Sequence, residues 1–123
     1  MKNLFILPLL LLLVSCYNQE RNCKDFRTGK FTFTQMIDSV EKTSTFERTE
    51  NLQIETFEGK TDTATVRWVN DCECVLQKLH PKNMQEKKAI SMRIVTTNKK
   101  TYTFEYSYVG DAKKEKGTVT KTD

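Results

Sequence analysis

Apolar and polar residues alternate with a period of two over most of this chain, a pattern typical of half-buried β-strands. The alternating runs occupy residues 31–34, 45–49, 52–57, 63–69, 72–79, 90–94, 102–108 and 118–121. Turn-forming pairs such as Glu58-Gly59 and Gly110-Asp111 separate neighbouring runs. No segment beyond the N-terminal region keeps the period of about 3.6 residues that a helix needs. The pattern therefore predicts an all-β domain.

Several short strands joined by short turns favour an antiparallel meander, in which each strand pairs with the next. The edges of an open sheet carry unpaired backbone groups, so the sheet must curl or close. We predict a small lipocalin-like barrel or half-barrel, with a two-sheet β-sandwich as the alternative. Residues 34–43 break the alternation, because Met36, Ile37 and Val40 have near-helical spacing. That stretch predicts a short helix or a loop.

The N-terminal segment has a different pattern. Lys2 precedes an apolar run over residues 4–14, which is too short to span a bilayer as a helix. The run ends in a tetrapeptide that resembles the lipobox of bacterial lipoproteins, Leu13-Val14-Ser15-Cys16. The resemblance implies cleavage before the cysteine and a membrane anchor of several acyl chains on Cys16. An ordinary signal peptide with a chance cysteine is the alternative.

This interpretation divides the chain into a lipoprotein signal peptide (1–15), a lipidated cysteine with a polar tether (16–22) and a single β domain (23–123). In Gram-negative lipoproteins, an Asp after the lipidated cysteine marks inner-membrane retention. Tyr17 stands there instead, which favours the outer membrane and leaves the leaflet open. Without residues 1–15 the formal net charge falls from +4 to +3, since Lys2 is the only charge removed. So balanced a charge argues against nucleic acid as a partner.

The cysteines predict one disulfide. Beyond Cys16 the chain has an odd number of them, Cys23, Cys72 and Cys74, in an oxidising compartment. Cys72 and Cys74 would project to the same face of a strand, so a bond between them would strain the backbone. We favour a bond between Cys23 and Cys72, which leaves Cys74 as a buried or half-buried thiol. Its loop of 50 residues corresponds to about 4 kcal/mol of stabilisation. Pairing of Cys23 with Cys74 is the alternative.

Five short motifs follow one another along residues 23 to about 109: Cys23, Gly29-Lys30-Phe31, Arg48-Thr49, Gln53-Ile54-Glu55 and Trp68 to Cys74. In this order they resemble a group of small Gram-negative lipoproteins without an established activity, although Cys74 stands where that pattern has Tyr. Some proteins of the group carry a DNA topoisomerase label. Topoisomerase chemistry needs a nucleophilic tyrosine among metal-binding carboxylates in a large cytoplasmic enzyme, which a small tethered domain cannot house.

Polar residues in the predicted strands are candidates for an interior site. If Gln53 and Glu55 point into the barrel, they need partners, and Arg48 with Glu55 is one possible pair. Arg67 is a further candidate of this kind. We favour the interpretation that Gln53 and Glu55 face water. In the alternative, they orient a ligand in the mouth of the barrel.

Aromatic residues are candidates for the lining of an apolar cavity. Tyr102, Phe104, Tyr106 and Tyr108 fall on one face of a predicted strand, and Trp68 lies on another strand. Such a row more often belongs to the core, and we favour that interpretation. In the alternative, Trp68, Tyr102, Phe104 and Tyr106 contact a ligand.

No motif in the chain predicts catalysis, a cofactor or a metal site. Cys72 and Cys74 lack the usual spacing of zinc ligands, and His80 beside Pro81 is expected in an exposed loop. No general base is identifiable near Cys74. We therefore expect a non-enzymatic envelope protein that is attached to the membrane through Cys16 and binds a small apolar or amphipathic ligand. The alternative is a structural module that docks an envelope protein and has no cavity.

Overall fold

A computed structural model describes residues 21–123. A short 3-10 helix (Cys23–Phe26) precedes eight strands: β1 (Gly29–Ile37), β2 (Val40–Arg48), β3 (Leu52–Phe57), β4 (Lys60–Asn70), β5 (Glu73–Lys78), β6 (Ile90–Asn98), β7 (Thr101–Tyr108) and β8 (Glu115–Lys121). Each strand pairs antiparallel with the next, and β8 pairs with β1 to close the barrel. This confirms the predicted all-β meander. Its topology is that of a lipocalin-like closed barrel, neither a half-barrel nor a sandwich.

The two ends of the barrel differ. One end, here called the closed end, carries the 3-10 helix and the connections at residues 49–51, 71–72 and 99–100. The other, the open end, carries the turns at residues 38–39 and 58–59 and the longer connections 79–89 and 109–114. Within residues 21–123, no helix has the length and apolar character needed to cross a membrane.

The 3-10 helix covers the closed end. Phe26 is buried there and makes an edge-to-face contact with Tyr102, with ring centroids 5.1 Å apart. A disulfide between Cys23 and Cys72 joins the helix to the connection between β4 and β5, which confirms the predicted pairing. The helix is thereby attached covalently to the opposite side of the barrel, and its aromatic side chain seals the core.

The core fills the half of the barrel nearest the closed end. Phe31 stacks on Phe46 at 4.9 Å, and Tyr102 meets Phe31 edge to face at 6.0 Å. The other buried apolar residues of the strands are Val66, Cys74, Met92, Ile94, Phe104 and Val119. Alternation along each strand places all of these on the interior face, as the sequence pattern predicts.

Residues 34–43 form neither a helix nor a loop, so that prediction is wrong. They belong to β1 and β2, which pair from Gly29 with Arg48 up to Ile37 with Val40. Asp38 and Ser39 form the two-residue turn, and both have left-handed backbone angles, φ 51° and 65°, as such hairpin turns require. Met36 is 67% exposed. The apolar residues here mark a solvent-exposed hairpin tip and not the buried face of a helix.

A glycine in β8 allows two aromatic rings to meet inside the barrel. A Cβ atom on Gly117 would lie 2.7 Å from Phe33 Cε2 and 2.9 Å from Phe104 Cε1. Those two rings make an edge-to-face contact with centroids 5.6 Å apart. Because side-chain atoms do not approach that closely, only glycine at this position leaves the rings where they are.

Candidate functional site

The barrel contains a cavity of about 290 Å³ that is partly open to solvent, just below the usual range of ligand pockets, roughly 300–1,000 Å³. It extends from Arg48 and Tyr102 near the closed end to Phe57 and Lys78 near the open end. One side, here called the apolar wall, comprises Phe33, Met92, Phe104, Tyr106 and Val119. The opposite side, the polar wall, comprises Arg48, Gln53, Glu55, Asp62 and Lys78.

Strand register builds the polar wall. Arg48 on β2 pairs with Gln53 on β3, and Glu55 on β3 pairs with Asp62 on β4. Gln53 and Glu55 therefore share the interior face, and Ile54 between them faces outward. The favoured interpretation that Gln53 and Glu55 face water is wrong, because the alternation that buries Phe46 and Arg48 on β2 also turns these partners inward.

Arg48 forms the floor of the cavity. It is 3% exposed, and each of its three guanidinium nitrogens donates one hydrogen bond. Nε donates to Gln53 Oε1 at 3.0 Å, Nη1 to the carbonyl oxygen of Phe26 at 2.7 Å and Nη2 to the hydroxyl of Tyr102 at 3.0 Å. The suggested pair of Arg48 with Glu55 does not form. Gln53 takes that place, because it is the residue directly opposite Arg48 in the register.

Four aromatic rings surround the Arg48 guanidinium. Its Cζ lies between 5.0 and 5.9 Å from their centroids, within the range of cation–π attraction. The rings belong to Phe31, Phe46, Trp68 and Tyr102. These contacts and the three hydrogen bonds hold the guanidinium in one position and connect the helix at the closed end with β2, β3 and β7.

Charged groups gather where the polar wall approaches the open end. Lys78 Nζ lies 3.0 Å from Asp62 Oδ2 and 3.2 Å from Glu86 Oε1. Glu55 lies on the same wall without an ion pair of its own among residues 21–123. Burial raises the pKa of the Glu55 carboxyl, an effect that Lys78 opposes and Asp62 reinforces.

Glu55→Gln should stabilise the barrel at neutral pH. A raised pKa means that the folded protein binds the Glu55 proton more tightly than the unfolded chain does. The stability that this proton contributes is fully present below the pKa that the Glu55 carboxyl has in the unfolded chain. It is lost as the pH rises through the higher pKa that this carboxyl has in the folded protein. The variant should therefore melt at a higher temperature than the wild type at pH 7, and the difference should vanish near pH 3.

Glu58→Gln is the matched control for Glu55→Gln. Glu58 is an exposed carboxylate 2.8 Å from Lys42 Nζ, and its hydrogen bond to Lys42 lowers its pKa. The Glu58 carboxylate therefore stabilises the fold above the pKa that it has in the unfolded chain, and this contribution is lost in acid. Glu58→Gln should be slightly less stable than the wild type at pH 7. Thermal melts of both variants at several pH values give the comparison. A Glu55→Gln difference of the same size at pH 3 and pH 7 would contradict the assignment.

The aromatic candidates occupy three environments. Tyr102 and Phe104 are buried in the core, as favoured, and they also line the cavity. Tyr106 is half-buried on the apolar wall. Trp68 is packed against the core and does not line the cavity. It lies beside two guanidinium groups, with Arg27 Cζ 5.3 Å and Arg48 Cζ 5.7 Å from its ring centroid.

Cys74 is the free cysteine of the described region and is fully buried. Burial raises the pKa of its thiol to about 11, an effect that the nearby Arg48 cation opposes. A protonated, enclosed thiol is a poor nucleophile. The side chain therefore fills space in the core.

The Cys74 thiol should resist labelling in the folded protein. At pH 8 the thiol is almost fully protonated and shielded from solvent, so a disulfide reagent such as dithionitrobenzoate should react only when the barrel unfolds. Apart from any reaction of Cys16, adding denaturant should release one equivalent of reactive thiol, and Cys74→Ala should abolish that signal. Rapid labelling in native buffer that disappears in Cys74→Ala would show that the thiol is accessible.

Other cavity residues were not identified from the sequence. Asp62, Lys78 and Met92 line the cavity, and their alternation alone does not distinguish an interior from an exterior polar residue. The register of β4 with β5, in which Ala64 faces Lys78, would have placed Lys78 inside. That register depends on the whole barrel.

Three further candidates lie away from the cavity or outside the description. Arg67 and His80 are exposed, so the expectation that Arg67 could lie inside is wrong. Cys16, with the rest of the proposed signal and anchor, lies outside the described residues. Among residues 21–123, no group of three or more His, Cys, Asp or Glu side chains is arranged to hold a metal ion.

Comparison of the chain with protein-family models, with curated proteins and with solved structures finds no match. The geometry of the cavity and the chemistry of its walls are therefore the basis for any functional assignment.

Proposed function

We propose that this chain is a lipid-anchored protein of the bacterial cell envelope whose barrel binds a small apolar or amphipathic ligand and catalyses no reaction. The cavity is the main observation that supports ligand binding. Its aromatic and aliphatic wall faces a wall of polar groups inside a closed barrel. Such a combination of an apolar surface with a few convergent polar groups is the common form of a small-molecule site.

The proposed anchor rests on the lipobox and on the resemblance to Gram-negative lipoproteins. Its consequence for orientation follows from the fold. The chain enters the described region beside the closed end, where the backbone N–H of Asn22 donates to Thr97 Oγ1 at 2.8 Å. A lipid on Cys16 would thus hold the closed end towards the membrane and direct the open end away from it. The ligand would then enter the barrel through the open end, which faces away from the membrane that holds the anchor.

Replacing Cys16 with serine tests the anchor. The variant should remain uncleaved or unlipidated and should leave the lipid-anchored fraction of the envelope. Metabolic labelling with a radioactive fatty acid, followed by membrane fractionation, measures both effects. Lipid labelling that persists in the variant would show that the anchor lies elsewhere or is absent.

A second candidate function is protein docking at the open end. Six large apolar side chains are exposed on the hairpin tip and the connections of that end: Met36, Ile37, Val40, Leu79, Met84 and Val109. Exposed apolar residues concentrated at one end of a domain are typical of an interaction surface. This candidate needs no ligand in the cavity.

Native mass spectrometry of the protein extracted from membranes distinguishes the two functions. We expect a non-covalent mass that disappears on denaturation, while the covalent lipid stays. Ala64 lines the cavity and its neighbour Thr65 faces outward, which supplies a matched pair of variants. Ala64→Phe should lose the non-covalent mass and Thr65→Phe should keep it. Equal native and denatured masses in the wild-type protein would contradict ligand binding and favour docking.

A further inference from the structure

Arg48 is a buried cation without an anionic partner in the described structure. Arginine does not lose its proton inside a protein, so the side chain keeps its charge. Every ion pair within residues 21–123 involves other side chains. Burial of an unpaired charge is strongly unfavourable. The floor of the cavity therefore carries an uncompensated positive charge.

The partners that Arg48 does have are neutral. Its three hydrogen bonds end on an amide oxygen, a backbone carbonyl and a phenol. A guanidinium group has five N–H donors, so one N–H on Nη1 and one on Nη2 remain. The four surrounding rings offer their negative faces, and such attraction compensates a buried cation only in part. Both the charge and the donor capacity remain to be satisfied.

We propose that the ligand is an amphipathic monocarboxylate, held with its carboxylate on Arg48 and its apolar body along the apolar wall. This inference rests on the proposed ligand-binding function and specifies the ligand class. The two remaining N–H groups equal in number the two oxygens of one carboxylate, a partner that arginine binds with two parallel hydrogen bonds. The hydroxyl of Tyr102 and the amide of Gln53 adjoin the same guanidinium and would help to orient the carboxylate.

The charges near the open end favour a single negative charge on the ligand. Where the polar wall approaches that end, the ion pairs of Lys78 with Asp62 and Glu86 lie on the same side as Glu55, so that this group holds three carboxyl groups and one cation. A doubly charged phosphate would meet repulsion from this group, and the one cation at the floor would leave half of its charge unpaired. A monocarboxylate is neutralised by Arg48 alone.

Two matched probes test the inference on the mature, lipidated protein in lipid nanodiscs. They are 4-phenylbutyrate and 4-phenylbutan-1-ol, which share an apolar body and differ in the charged group. Isothermal titration calorimetry, with empty nanodiscs as the blank, should show the carboxylate binding at least about tenfold more tightly, as expected for a charge-assisted hydrogen bond. The fluorescence of Trp68, the single tryptophan of the chain, should change on binding because its ring lies 5.7 Å from Arg48 Cζ.

Arg48→Met removes the charge and keeps an unbranched apolar stem. This variant should lose the preference for the carboxylate, so that the ratio of the two affinities approaches one. Arg67→Met is the matched control, because Arg67 is exposed on the outside of β4. It should bind both probes as the wild type does. The cationic analogue 4-phenylbutylamine should bind the wild-type protein more weakly than 4-phenylbutyrate and 4-phenylbutan-1-ol do.

The outcomes separate this inference from the proposed function. Equal affinity of the wild type for the acid and the alcohol, or a preference that survives in Arg48→Met, would show that Arg48 only closes the floor; ligand binding itself would stand. Failure of every probe to bind, together with equal native and denatured masses, would overturn both proposals. Even if Arg48→Met does not fold, the relative affinities of the three probes for the wild-type protein show whether the cavity prefers a carboxylate.

Discussion

Cys72→Ser should lower the free energy of unfolding by about 4 kcal/mol, the value that the chain-entropy account gives for a closed loop of this length. The bonded cysteines are separated by 49 positions, so the bond restricts nearly half of the described chain in its unfolded state. A small domain is stable by only about 5–15 kcal/mol. The variant should therefore unfold at a much lower urea concentration, as measured by circular dichroism.

The structure adds a local reason for this loss. The disulfide attaches the 3-10 helix to the connection between β4 and β5, and Phe26 of that helix seals the closed end. Without the bond, the helix can leave the barrel and expose Tyr102 and Arg48. Cys74→Ala is the control, because it removes one buried sulfur and no crosslink, at a cost of about 1 kcal/mol. An equal loss in both variants, or an unchanged midpoint after reduction of the wild type, would contradict the prediction.

Phe31→Ala should cost about 3–5 kcal/mol, the usual range for removing a large aromatic side chain from a core. Phe31 is 1% exposed. Its ring stacks on Phe46 at 4.9 Å and meets Tyr102 at 6.0 Å, and Arg48 Cζ lies 5.0 Å from its centroid. The variant loses the buried area and leaves a void that this closed, well-packed end cannot fill.

Phe57→Ala is the matched control for Phe31→Ala. It makes the same substitution on a half-buried ring at the open end of the same cavity. Its cost should be clearly smaller, because the ring is already partly in water and the space that it leaves joins the solvent. Urea titrations of both variants give the difference. Similar losses would show that the two ends of the barrel are packed equally, contrary to the structure.

Local pattern was a good guide to the strands and a poor one at the first hairpin. The alternation at residues 52–57 and 102–108 reflects burial on one face, and both runs are strands in the barrel. At residues 34–43 the apolar side chains are exposed at a hairpin tip, so their spacing carries no information on burial. The deciding feature there is the pair of left-handed residues Asp38 and Ser39, which are less obvious as a turn than Glu58-Gly59.

Local pattern also failed to predict which polar side chains face the cavity. Gln53 and Glu55 alternate with Leu52 and Ile54, and either pair could face the core by pattern alone. The apolar pair would ordinarily be the buried one. The register with β2 reverses this, because Arg48 lies opposite Gln53 and needs a hydrogen-bond acceptor inside the barrel.

The sequence by itself determined the all-β class, the antiparallel meander, most strand positions and the exclusion of a bond between Cys72 and Cys74. These features depend on near neighbours along the chain: alternation of apolar residues, turn chemistry and the geometry that prevents cysteines two residues apart on a strand from bonding. Only the tertiary structure decided that the sheet closes between β8 and β1, that Arg48 lies at the floor of a cavity and that Gln53 and Glu55 face it. Those features depend on which distant strands become neighbours, because an interior position exists only after the barrel has closed around it.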